Sequence, residues 1–162
     1  MNTKGDQRTD RMRPVVVQAV LTDRPLSPEP ALSAVETDTA GAVVVFSGIV
    51  RNHDGGRDVI GLTYTAHPMA HQTLVDVVEA AAIEHSQTSG AAVDSPVRVW
   101  AAHRLGALEI GDSALVCAVS AGHREQAFGF CSAVVDRIKA EVPIWKEQFF
   151  SDGTVEWVGA TD

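Results

Sequence analysis

Apolar residues recur in two rhythms along this 162-residue chain. Valine-rich runs at Val15–Thr22, Gly41–Val50, Val59–Thr65, Val97–Ala102 and Ser113–Ser120 read as strands, because β-branched side chains suit a pleated, half-buried surface. Pro68–Ser86 instead repeats every 3.6 residues through Leu74, Val75, Val78, Ala81 and Ala82, and Ser89-Gly90 ends that helix. Arg124–Ala140 is a second long helix with Ala127, Cys131, Val134 and Ile138 on one face. Pro143 disfavours helical geometry at Val142 and so sets its end. After a Pro25–Pro30 loop, Ser27 or Ser33 can start a short helix running to about Glu36. The segment Arg51–Arg57 contains Asp54-Gly55 and reads as a chain reversal. Residues 103–112 form a glycine-punctuated connection, and Ile144–Phe150 with Thr154–Val158 suggests a closing hairpin. Strand runs, short hairpins and two long helices indicate an α+β domain. The polar stretch Met1–Arg13 reads as a disordered tail, leaving 14–162 as one domain.

Composition narrows the class. The chain is 45% apolar and 21% charged, enough for a core without staples. A net charge of −8 argues against a general nucleic-acid binder, although a local basic pocket remains compatible with it. No apolar run approaches the ~20 residues of a membrane span, and Val15–Leu21 leads to Thr-Asp-Arg-Pro, not a signal cleavage site. A cytoplasmic protein is expected. Cys117 and Cys131 fall in apolar runs and read as buried, inert thiols. His67 and His71 are four apart but have no nearby third ligand, so no metal is expected. Walker, Gly-x-Gly-x-x-Gly, Gly-x-Ser-x-Gly and Cys-x-x-Cys patterns do not occur, and no cofactor is implied.

The lysines change the picture most. Apart from Lys4, the chain has only Lys139 and Lys146, against ten arginines. They flank Ala-Glu-Val-Pro-Ile-Trp, and an ammonium beside Val142, Ile144 and Trp145 is expected to be partly desolvated and drawn toward reactivity. Such a lysine can be a nucleophile, an acid/base or an anion clamp. The plainer reading is a helix-end cation at Lys139 and a solvated strand residue at Lys146. Ser120-Ala-Gly122-His123-Arg124 feeds a helix N-terminus and could hold a phosphate or carboxylate. Arg51, at a strand-to-hairpin transition, could do the same. Fifteen residues at 1.5 Å separate Arg124 from Lys139 by about 22 Å, so one small substrate cannot readily touch both in one subunit. We therefore expect a dimer in which His123 and Arg124 complete the partner's lysine pocket.

Taken together, Phe46-Ser-Gly48-Ile-Val-Arg51-Asn-His53, His103-Arg104-Leu-Gly106 with Gly111-Asp112, Gly122-His123-Arg124 and Lys139-Ala-Glu-Val-Pro143-Ile-Trp145-Lys146-Glu147 resemble the large, catalytic subunit of molybdopterin synthase, the MoaE family. The resemblance runs from about Val15 to Val158. It implies a single domain of the α/β-hammerhead type, mainly antiparallel strands with two long helices. It also implies conversion of cyclic pyranopterin monophosphate to molybdopterin. The sulfur would come from a thiocarboxylate on the C-terminal Gly-Gly of a small ubiquitin-like subunit. Two large subunits would form the core of a heterotetramer; nucleic acid and membrane are not implied partners. Carried over by position, Lys139 and Lys146 are the expected catalytic residues. Ile49, Val50, Arg51, His123, Arg124, Lys139, Lys146, Glu147 and Gln148 are the expected substrate contacts. Glu147 stands where many relatives carry a basic residue. The His103-Arg104-Leu-Gly106 segment is expected to be structural, its glycines permitting turns other residues resist. The alternative is a non-catalytic α+β anion-binding or regulatory domain using the same basic groups.

Overall fold

The computed structural model describes residues 13–88 and 95–159. The expected tail, save Arg13, and the Ser89-Gly90 helix stop lie outside the described residues. In chain order the elements are β1 (Val15–Thr22), α1 (Pro28–Val35), β2 (Ala42–Ile49), β3 (His53–Asp54), β4 (Arg57–Ala66), α2 (Ala70–Thr88), β5 (Arg98–Arg104), β6 (Gly106–Leu108), β7 (Ser113–Ala121), α3 (Arg124–Glu141), β8 (Ile144–Phe150) and β9 (Val155–Val158).

The first sheet has strand order β1-β5-β7-β2. β7 is buried at every position, because both faces of the sheet are covered. Leu115, Cys117, Val119 and Ala121 point toward α2 and α3, where they meet Leu74, Val78, Phe130, Val134 and Ile138. The alternate residues Val116 and Ala118 pack with Trp100 and Ala102 against Ala31 and Val35 of α1. The period of two thus divides one apolar run between two cores. Each large apolar side chain buried this way contributes roughly 1.5–3 kcal/mol. β1 lies parallel to β5, whereas β5–β7 and β2–β7 are antiparallel.

The second sheet has order β3-β4-β8-β9, with β6 also pairing with β4. All its pairings are antiparallel. β6 differs from the sequence reading: three residues within a glycine-rich connection carry no strand periodicity, and only their antiparallel pairing with Leu62, Thr63 and Tyr64 of β4 defines them. The expected reversal is a two-residue hairpin turn. Asp54 pairs with Arg57, and Gly55 and Gly56 have φ of 56° and 77°, the doubly positive geometry of a type I′ turn. Val50, Leu62, Leu108 and Ala114 form a small core where the two sheets meet.

Both cysteines are buried and free. The Cys131 thiol points to the Cys117 carbonyl at 3.9 Å. Hydrogen bonding to Cys131, and then burial, push the Cys117 thiol well up, in keeping with an inert group.

Candidate functional site

Lys139 lies in the last turn of α3. The helix closes at Val142, whose backbone is extended at φ −82° and ψ 121° while its N–H still bonds the Ile138 carbonyl at 3.1 Å. Pro143 imposes that extension. The chain then turns directly into β8, so Lys146 returns beside Lys139. Both lysines line two adjoining cavities of about 160 and 410 Å³, which also share Tyr64 and His103. The larger falls within the roughly 300–1,000 Å³ of small-molecule sites.

β8 and β4 form the floor. Lys146 is paired with Tyr64 and Gln148 with Leu62, and alternation turns all four toward the larger cavity. Gly48, Ile49, Val50, Arg51, His53 and Asp54 come from the end of β2 and the hairpin after it. Main-chain bonds clamp this segment: the Val50 N–H reaches the Asp112 carbonyl at 2.9 Å, and the Gly111 N–H reaches the Val50 carbonyl at 2.8 Å. Gly111 has φ of 92°, a conformation open to glycine, and Arg104 pairs with Asp112 at 3.8 Å. These contacts of Arg104, Gly111 and Asp112 steady the segment carrying Arg51.

His103 has a different place, since its ring belongs to the cavity wall. It meets Tyr64 edge-on at 4.8 Å, and its Nδ1–H donates to the Arg104 carbonyl at 2.7 Å. Burial pushes the imidazole below its ordinary value, the Arg104 bond opposes this, and the charge of Lys139 adds to the lowering. Burial likewise pushes the Tyr64 phenol up. The wall thus presents neutral rings to the two ammonium groups. Asp54, also unanticipated, accepts a 2.8 Å hydrogen bond from Gln148 Nε2 and lies 3.7 Å from Arg51. That bond chiefly, with the charges of Lys146 and Arg51, holds its carboxyl below the usual range against burial. The sequence offered signals for Tyr64, the chain's one tyrosine, and for His103 in a quoted motif; Asp54 carried none beyond its turn.

Not every expected residue converges here. Ile49 is exposed at the cavity rim and Val50 is buried in its wall. Glu147 lies on the opposite face of β8, paired with Trp157, and does not line either cavity. His123 is the N-cap of α3 and, with Arg124, Glu125 and Phe128, lines a separate groove at the far end of that helix. The expected desolvation also needs correction: Lys146 is half-buried, but Lys139 is exposed in this chain by itself. A helix-end side chain can extend past the apolar residues of the following turn into solvent.

A metal role for His67 is not supported by its contacts. Its Nδ1 accepts the Met69 N–H at 3.0 Å at the start of α2. Among the described residues no cluster of three or more metal-ligating side chains occurs. Among them, too, no helix is long and apolar enough to cross a membrane.

Residues 21–141 match the family model described as MoaE protein. The chain is 43% identical over 140 residues to molybdopterin synthase catalytic subunit 1 of Mycobacterium tuberculosis, covering 86% of this chain and 88% of that one. It superimposes on the crystal structure of molybdopterin synthase from Staphylococcus aureus with TM-score 0.74 and 31% identity, covering 88% of this chain and 97% of that one. A Helicobacter pylori protein–protein complex of subunits 1 and 2 of molybdopterin-converting factor matches at TM-score 0.54 and 23% identity, over 76% and 74% of the two chains; this last likeness concerns fold alone.

Proposed function

The chain belongs to the MoaE protein family, and from that premise we propose how its lysine cavity serves a molybdopterin synthase catalytic subunit. The enzyme transfers sulfur in molybdenum cofactor biosynthesis. Its substrate is the cyclic pyranopterin monophosphate, and its sulfur donor is the C-terminal thiocarboxylate of a small ubiquitin-like subunit. The observation that carries the reading is the convergence of Lys139, Lys146 and Arg51 on one cavity in a chain of net charge −8. Three cations there favour an anionic phosphate and an anionic thiocarboxylate together.

In this proposal Lys139 sits beside the incoming thiocarboxylate and the reacting carbons and moves protons there. Its exposure in the lone chain leaves room for the donor's tail, which covers the ammonium on entry and strengthens its electrostatics by excluding water. Lys146, more enclosed, holds substrate and assists proton transfer. Arg51 binds the phosphate side, with Ile49, Val50 and Gln148 shaping the wall; Glu147 belongs to the outer edge. His123 and Arg124 act from a second copy of the chain, in a homodimer that carries a small subunit at each end. Their separate groove and the 63% exposure of Phe128 beside them support that arrangement. Residues 14–162 act as one domain, and a cytoplasmic location belongs to the same proposal.

The test is a synthase assay with the thiocarboxylated small subunit. Wild-type protein forms molybdopterin, and Lys139→Ala stays folded while losing roughly 10²–10⁴ in turnover, the range of general acid–base contributions. A wild-type chain that binds the pterin but forms no product would return the anion-binding alternative.

A further inference from the structure

A carboxylate in a cavity built for anions calls for a reason. Asp54 lines the larger cavity together with Arg51, Lys146 and Gln148. It belongs to β3, a strand of two residues whose pairing is with β4 across the Gly55-Gly56 turn. Its Oδ2 accepts from Gln148 Nε2 at 2.8 Å, a contact spanning 94 positions of sequence. Gln148 is only 4% exposed, so its amide has little access to water as a substitute acceptor. The Asp54 Oδ1 lies 3.7 Å from Arg51, but that pair is largely exposed and therefore weak. The hydrogen bond to Gln148 is the stronger of the two, because its acceptor is ionised and its donor buried, and it alone of them reaches β8, which the hairpin also meets through the Arg57 guanidinium over the Phe150 ring at 3.7 Å.

We propose that Asp54 is a positioning residue that ties the hairpin bearing Arg51 to the strand bearing Lys146, and so sets the span between the phosphate-binding arginine and the lysines. The inference rests on the reading of the cavity as the pterin site. With the tie intact, Arg51 faces the cavity at a fixed distance from Lys146. Without it, the hairpin keeps its turn, its two strand residues, the main-chain bonds at Val50 and Asn52 and the Arg57 ion pairs, but loses the side-chain tie from Asp54 to β8, so that Arg51 samples positions that meet the substrate less often. The carboxylate also places negative charge between two cations, which limits binding of stray anions before the substrate arrives.

The experiment compares Asp54→Ala with Asp54→Asn in the complete synthase with its thiocarboxylated partner. Asparagine keeps an acceptor oxygen for Gln148 and loses the charge. Asp54→Ala is expected to raise KM for the pterin roughly five- to tenfold, the scale of one charge-assisted hydrogen bond at a half-exposed site, with kcat at saturation changed less than about twofold. Asp54→Asn, which keeps the acceptor without the charge assistance, is expected to recover part of that loss. An unchanged KM in Asp54→Ala, a fall confined to kcat, or failure of asparagine to rescue would each overturn the tie. If the alanine variant does not fold, the asparagine variant alone decides, since its KM must rise, but by less than about fivefold, and either an unchanged KM or a larger rise overturns the tie. A wild-type enzyme without turnover would instead sink the underlying reading.

Discussion

The separation of Arg124 from Lys139 makes a prediction that one assay can decide. The two residues stand at opposite ends of α3 and line different cavities. At 1.5 Å per residue they are about 22 Å apart along the helix axis. A single substrate using both must therefore draw them from two chains. Lys139→Ala and Arg124→Ala should each be nearly inactive alone, the first by roughly 10²–10⁴ and the second by roughly 10–100-fold for a lost charged phosphate contact. In a mixed dimer the two substitutions fall together in one site, leaving the other site wholly wild type. Random exchange gives mixed dimers in about half the population, so about a quarter of wild-type activity returns on mixing, as two-fold symmetry requires. The assay is molybdopterin formation after coexpression or after mixing and subunit exchange, with each parent alone as baseline. Activity no greater than the average of the parents, in dimers shown to have exchanged, would refute the shared site. It would mean that each chain needs its own Arg124 and its own Lys139.

Other outcomes follow from particular contacts. Gly56→Ala should lower stability by about 1 kcal/mol in denaturant melts, because alanine resists the φ of 77°, and should raise KM by disturbing the Arg51 hairpin. Phe130→Ala, emptying a fully buried position among α2, α3 and the first sheet, should cost about 3–5 kcal/mol and leave little folded enzyme at elevated temperature. Because burial lowers the His103 pKa in the folded state, its stabilising contribution is fully present above the unfolded value of 6.5 and is lost as pH falls through the folded value. Thermal melts between neutral pH and about pH 5 should thus fall less steeply for His103→Gln than for wild type; an unchanged slope would show that the ring contributes nothing to acid sensitivity.

Much of the fold could be read locally. The strands at Val15–Thr22 and within Ser113–Ala121 needed only their β-branched runs, and α3 ended where Pro143 said it must. The site was legible where residue types were rare: two lysines in a short apolar stretch pointed to one cavity, and both line it. Three points were not legible. The apolar neighbours of Lys139 suggest desolvation, yet only Val142 and Ile144 pack inward, while Trp145 and Lys139 itself are exposed. Glu147 was carried into the site by adjacency to Lys146, but strand alternation turns it away. His103 was set aside with a structural motif, although its ring is part of the wall.

The sequence by itself determined the long helices and the longer strands, their apolar faces and the chemical types available to the site, because helix and strand periodicities are local properties of the chain. Only the tertiary structure decided which strands lie side by side, the parallel placement of β1 on β5, and the pairing that makes three residues into β6. It likewise decided that Asp54 meets Gln148, that Tyr64 and His103 stand beside the lysines, and that His123 and Arg124 do not. Those relations join residues distant in sequence, and they are fixed by closing sheets and burying shared faces, which no local pattern encodes.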